Sequence, residues 1–263
     1  MAKYFILLFL VPFLCGGQES INHTDSLGRR QGWWKKEYPG GITMYEGRFA
    51  DGRPVGEWRR YHENGNLRAI LFHHAQNDSI KATLFDISGK PAAEGHYTGE
   101  QKTGSWKYFN DGKILSEESY SSGKKSGVCK LFYPSGEVLE ESEWIDGVQQ
   151  GKYRAFFQNG KPFLECIYKE GQRNGFCISF YPSGTMEVEA FYKNDLPEGE
   201  WKYFSENNQL RFTLQYSNGI LLNPEVLYQS DSRALEEMER RGKNLSDPEK
   251  YLDNPTEYLL KYH

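Results

Sequence analysis

The side chains able to do chemistry are few and widely spaced. His62, His73 and His74 fall in one stretch that also holds Glu57 and Glu63, and imidazoles with carboxylates are the donors of a transition-metal site. Their spacing follows no zinc pattern, and His73 stands where other copies of the pattern below carry tyrosine, which makes it a ring of the core. The sequence contains neither a Gly-rich phosphate loop nor a Ser-His-Asp arrangement. Glu140, Glu141 and Glu143, with Glu117 and Glu118 one unit earlier, read as a polar outer face; as a carboxylate ladder on one face they would also recognise a basic partner. The expectation is a chain with no catalytic residue, no metal site and no cofactor.

Cysteine offers the remaining reactivity. Cys129 and Cys177 are two units apart, which at strand spacing is roughly 19 Å, too far to pair. Cys166 lies in the strand before the one carrying Cys177, almost opposite it across a turn near residue 172. In an oxidising compartment that placement admits a Cys166–Cys177 disulfide; the other reading is two small thiols filling gaps of aromatic size.

The elements that carry these residues repeat. A glycine opens each unit at Gly56, Gly104, Gly127, Gly151, Gly175 and Gly199, at intervals of 48, 23, 24, 24 and 24. The third position holds Trp58, Trp106 and Trp201, or Cys129, Tyr153 and Cys177 in other copies; the sixth holds Tyr61, Phe109, Phe132, Phe156, Phe180 and Phe204. These rings are expected to form the repeat core. Aromatic and β-branched runs without a helical stripe, bounded by turn residues, are strands. The turns after them carry Gly65, Gly112, Gly136, Gly160 and Gly184, where glycine supplies the positive φ of a tight hairpin. Second turns such as Asp51-Gly52, Asp146-Gly147 and Glu170-Gly171 join one hairpin to the next, and rings from Phe49 to Tyr216 recur just before them. Weaker copies start at Gly32-Trp33-Trp34 and fill 79–103, where Ile80 and Leu84 replace aromatics, which gives about eight units. The fold class is therefore all-β: an elongated antiparallel meander of stacked hairpins, roughly 75–80 Å long at strand spacing, with one apolar, aromatic face.

The stretches Trp144-Ile-Asp-Gly-Val-Gln-Gln-Gly-Lys-Tyr-Arg-Ala-Phe and Tyr168-Lys-Glu-Gly-Gln-Arg-Asn-Gly-Phe-Cys-Ile-Ser-Phe resemble MORN repeats. More closely they resemble the bacterial MORN variant of proteins labelled YwqK-type antitoxins. The resemblance covers residues 32–222 and implies one hairpin per repeat in a sheet used for protein contacts. No catalytic residue comes with it.

The ends differ from the array. Residues 1–17, with Lys3 followed by an apolar run of 11 from Tyr4 to Leu14, read as a signal peptide and so as export to the periplasm, the outer membrane or the cell surface. Cys15 before Gly16 resembles a lipoprotein site, although Pro12-Phe13-Leu14 departs from the small residues expected there; cleavage near Gly17 is the alternative. Residues 18–31 read as a linker, and 223–263 as a helical cap or tail with helix starts at Ser246 and Asn254. With 32 basic and 36 acidic side chains the net charge is −4, which disfavours nucleic acid and anionic membrane as partners. Membrane attachment then comes only through an N-terminal lipid. Basic pairs such as Arg29-Arg30 and Lys124-Lys125 read as solvated turns. What remains is a scaffold that binds another protein or a glycan through one face, or an antitoxin that neutralises a cognate toxin.

Overall fold

The computed structural model describes residues 20–74 and 77–229. The expected leader with Cys15 and the helices expected beyond residue 229 lie outside the described residues. The chain divides into two compact units, one up to Lys124 and one from Lys125.

In the first unit the strands Arg30–Glu37, Thr43–Ala50, Arg53–Tyr61, Leu67–His73, Ser79–Phe85, Pro91–Thr98, Gln101–Asn110 and Lys113–Ser121 form a meander, each antiparallel to the next. The second unit repeats the plan with Gly127–Phe132, Val138–Ile145, Val148–Phe156, Pro162–Lys169, Gln172–Phe180, Met186–Lys193, Gly199–Phe204 and Leu210–Ser217. Residues 225–229 turn helical. The expected linker differs: His23–Thr24 already pairs with Arg30 and Gln31. The Asp25 carboxylate closes that hairpin by accepting from the amides of Leu27 and Arg29, both at 2.9 Å, and from the Arg29 side chain at 2.8 Å.

Two turn chemistries alternate, and their sizes set the period. At Asp51-Gly52, Asp146-Gly147, Glu170-Gly171 and Asn218-Gly219 both residues have positive φ, the two-residue type I′ turn whose twist matches the strands it joins. At the other end of each hairpin the loop is one residue longer. The Gly65 amide donates to the His62 carbonyl at 2.9 Å and the His62 amide to the Asn66 carbonyl at 2.8 Å, a type I turn closed by a glycine bulge. Asp111-Gly112 departs from this pattern, being a two-residue turn between Asn110 and Lys113 with φ of 48° and 76°. That shorter turn accounts for the single 23-residue interval.

The opening glycine also has a backbone task. Between Glu46↔Arg59 and Arg48↔Val55 the register skips, so that Gly47 alone faces Gly56, Glu57 and Trp58, and Gly56 takes φ 66°. Gly104 and Gly199 repeat the conformation at 66° and 68°.

A single sheet hides few side chains. In the first unit the buried apolar residues are Phe49, Trp58, Ala69, Ala82, Ala93 and Trp106; in the second they are Cys129, Ala155, Cys166, Cys177, Ala190 and Leu214. Of the expected core rings, Trp58 and Trp106 are therefore buried. Trp201 is half-buried, and so are Tyr61, Phe109, Phe132, Phe156, Phe180 and Phe204. The third and sixth positions are an odd number of residues apart and strand side chains alternate faces, so the two ring sets cannot share one. Tyr61 shows where the second set goes: its hydroxyl donates to Glu46 at 2.6 Å, on the face opposite Gly47 and Trp58.

Candidate functional site

The indole face is built by a size match across adjacent strands. A Cβ placed on Gly47 would come within 2.3 Å of the Trp58 indole, and one on Gly95 within 2.4 Å of Trp106. Each indole therefore lies flat over a glycine. Its Nε1–H donates one residue further along the same strand, Trp58 to Arg48 O at 3.0 Å and Trp106 to His96 O at 2.9 Å. Trp201 does the same over buried Ala190, donating to Phe191 O at 3.1 Å. Where the third position is Cys177, its opposite number is Cys166, and the two are joined in a disulfide across a Cα–Cα distance of 4.1 Å. Cys129 is buried.

Beside each indole stands the ring that precedes the second turn. Phe49 meets Trp58 edge-on with centroids 4.8 Å apart, Tyr97 meets Trp106 at 4.8 Å, and Trp201 has Tyr192 at 5.0 Å and Tyr216 at 4.8 Å. These separations are those of favourable ring pairs, each contributing about 0.5–1.5 kcal/mol beyond its buried area. Cations complete the rungs. Arg30 lies over Trp34 and Phe49, Lys102 over Trp106, Tyr108 and Tyr120, Lys125 over Trp144 and Arg173 over Tyr192, at 4.0 to 5.2 Å from the centroids. Each of the four sits two residues before the opening glycine of its copy. Arg30 and Lys125, expected to be solvated, thus spend their charge on rings, while Arg29 pairs with Asp25 at 2.8 Å. Alternation separates the members of each basic pair.

The same alternation breaks up the expected carboxylate ladder. Glu141 binds Lys130 and Arg154 at 3.1 and 2.9 Å, and Glu189 binds Lys202 at 2.9 Å on the same face. Glu140 stands with the rings, opposite Ala155. Its charge, after burial, helps push the Tyr153 hydroxyl up to about 12. Glu118 accepts from the Tyr120 hydroxyl, and burial followed by that carboxylate drives the Tyr120 pKa far up.

The histidines likewise do not converge. His73 joins the ring face at 6.2 Å from Trp58, whereas His74 packs on Phe72 at 5.1 Å. Burial, then Arg60, lowers the His73 pKa below its ordinary value, as a ring replacing tyrosine should show. His62 lies 3.3 Å from the Phe85 carbonyl and Glu57 pairs with Arg59 at 2.7 Å. Among the described residues no three His, Cys, Asp or Glu side chains gather as metal ligands. The copy at 79–103 places Ala82 at the third position, and the face sinks there into an open hollow of about 550 Å³ whose lining includes Ala69, Leu71, Ile80, Arg60, Arg68 and His73.

The MORN repeat variant model matches five stretches, at 54–74, 125–146, 149–170, 173–194 and 197–218. This is a MORN-repeat protein of the variant type. No curated protein matches it. Among solved structures it is similar to the GtfA/B complex, at 12% identity over 34% of this chain and 18% of that one with a TM-score of 0.25, and to TarM, at 16% identity over 41% and 19% with a TM-score of 0.22. The chain spans about a fifth of the length of these structures. The MORN units at 32–53 and 79–103 fall outside the matched stretches yet form the same hairpins.

Two features of the MORN face are missing from a reading of aromatics alone. The small residue under each indole, at Gly47, Gly95 and Ala190, lies 11 positions before it, and a search for size-complementary pairs at that offset would find it. The cation two places before the opening glycine is also periodic, but it is visible only once each copy is aligned on that glycine.

Proposed function

We propose that this MORN-repeat chain is a non-enzymatic scaffold, exported or envelope-attached, which binds another protein or an envelope glycan through the face that carries its indoles and tyrosines. The observation behind this reading is the rung pattern itself: Trp34, Tyr97, Tyr108, Trp144, Tyr168, Tyr192, Trp201 and Tyr216 are all half-buried on that face, so each is held rigid by neighbours yet keeps surface to offer. Rings of this kind stack on sugars and anchor protein interfaces at low entropic cost. The opposite face is laced with ion pairs, and exposed pairs contribute about 0–1 kcal/mol each. That face also carries the sixth-position rings and the exposed Phe72 and Phe176, but its charges are spent on one another.

The test has two parts. Fractionation with mass measurement of the mature N-terminus reads export, and recovery of an uncleaved chain inside the cell would refute it. Capture of crosslinked partners by the wild-type chain and by Trp144→Ala with Tyr168→Ala reads the face. The scaffold reading expects the variant to lose the partner while keeping its fold. Equal capture by both would overturn it, and turnover of a substrate by the purified chain would overturn the non-enzymatic assignment.

A further inference from the structure

The hollow on the ring face of the first unit offers both room and a preference of charge. It opens where the third position is Ala82, between copies that carry Trp58 and Trp106 there, and measures about 550 Å³. Its floor is aliphatic: Ala69 stands in register with Leu84, and Leu71 lies between Ala69 and His73, which is in register with Ile80. Arg60, two residues after Trp58, rises on the same face. Arg68 is the residue skipped between Arg60↔Ala69 and Tyr61↔Leu67, and a bulge of this kind takes a side chain out of strict alternation. Both arginines line the hollow.

These two guanidinium groups lack the partners that others in the chain have. Arg30 and Arg173 lie over rings at 4.0 to 5.1 Å from the centroids, and Arg59 and Arg154 pair with carboxylates at 2.7 and 2.9 Å. Arg60 and Arg68 make neither kind of contact among the described residues. Glu100 also lines the hollow, but beside Gly99 at its other end. The Ala69↔Leu84 rung near the arginines and the His73↔Ile80 rung near Glu100 are four strand residues apart, about 13 Å.

We propose that the hollow receives an aromatic side chain of a partner protein together with the acidic residue next to it in the partner's sequence. The ring lies on the aliphatic floor, level with the indoles of the flanking copies, and the carboxylate is taken by Arg60 and Arg68. Covering Ala69, Leu71 and Leu84 with a ring removes apolar surface from water. A guanidinium can pair with a carboxylate and stack on an aromatic face as well. A sugar acid would satisfy the arginines but set its hydroxyls over an aliphatic floor that offers them no hydrogen bond, which favours the peptide.

This inference rests on the ring face being the binding face. Full-length protein is titrated with acetyl-Trp-Glu-amide, acetyl-Trp-Gln-amide, acetyl-Ala-Glu-amide and glucuronate while the methyl resonances of Ala69, Leu71 and Leu84 are followed by NMR. The expected result is a saturable shift with acetyl-Trp-Glu-amide and a dissociation constant at least fivefold weaker for each of the other probes. Arg60→Gln combined with Arg68→Gln should weaken acetyl-Trp-Glu-amide to the level of acetyl-Trp-Gln-amide and leave the latter unchanged. Both arginines are exposed, and near-UV circular dichroism checks that the variant keeps its ring packing. Equal binding of the Gln or the Ala peptide, or binding unchanged in the double variant, would overturn the proposal. Glucuronate binding more tightly than the peptides would assign the hollow to an acidic glycan and overturn it too. No shift with any probe would end the hollow as a site, while the scaffold reading would still be decided by capture with the Trp144 and Tyr168 variant, whose changes lie in the other unit.

Discussion

Gly95→Ala separates packing from backbone preference. Gly95 has no positive φ, so by conformational entropy alone alanine should stabilise the fold by about 0.4–1 kcal/mol. The Trp106 indole reverses the sign. A methyl on residue 95 would lie 2.4 Å from Trp106 Cδ2, and the ring must retreat about 1 Å to reach ordinary contact. Overpacking of this kind costs about 1–3 kcal/mol, and stretching the 2.9 Å bond to His96 O adds up to about 1 kcal/mol. Net of the entropic gain, the loss should be about 2 kcal/mol. The Ala190 and Trp201 pair shows the relaxed outcome, with the bond kept at 3.1 Å and the indole only half-buried. The assay is urea unfolding of wild type, Gly95→Ala, Trp106→Ala and the double variant. Trp106→Ala alone should cost about 3–5 kcal/mol, and in its background Gly95→Ala should be neutral or stabilising. A stabilising Gly95→Ala in the wild-type background, or strict additivity across the cycle, would refute the size-match argument.

Other residues test other causes. Gly104 has open space at Cβ but φ 66°, so Gly104→Ala should cost about 1–2 kcal/mol through the backbone alone; Gly104→Asn should recover part of it in the same unfolding assay, and an Ala variant as stable as wild type would contradict this. The Cys166–Cys177 bridge spans a sequence separation of 11, so reduction, confirmed by a mass gain, should lower stability by about 3 kcal/mol in the chain-entropy account. Tyr153, with its hydroxyl pushed up to about 12 by burial and Glu140, favours the protonated form in the fold; that contribution is full below pH 10 and is lost as pH rises toward 12. Ultraviolet titration of Glu140→Gln should show this phenol ionising at lower pH than in wild type. Asp25, held down to about 2 by the Arg29 amide first and then, against an opposing desolvation, by the Gln31 and Arg29 side chains and the Leu27 amide, should keep its hairpin closed above pH 4 and release it as pH falls through 2, read from the Arg29 amide resonance.

The hairpins were legible because their signals are local. Asp146-Gly147 and Asn159-Gly160 announce turns with no knowledge of the rest, and the 24-residue interval fixes what lies between. Which residues share a face was less legible, although the information was present. Trp58 and Tyr61 look alike as aromatic positions, yet a spacing of three puts them on opposite sides of a strand. The same parity splits Glu140 from Glu141, Arg29 from Arg30 and His73 from His74. The bulge at the opening glycine adds two residues to one strand, so strict counting across it also fails. The small partners of the indoles were hidden for a different reason: Gly47 and Gly95 resemble turn glycines until a neighbouring strand supplies the ring that explains them. The Glu170-Gly171 turn alone would set Cys166 opposite Gly175, and the two extra residues of the bulge bring it opposite Cys177 instead.

The central claim is that the ring face binds and the ion-paired face does not. A photocrosslinking residue placed in living cells at Tyr108, Tyr153 or Tyr203 reports on the first, and one at Lys130, Arg154 or Lys202 on the second. The account expects one recurrent adduct from the tyrosine positions and none from the charged positions. Adducts from the charged positions alone, or the same adduct from both sets, would contradict it.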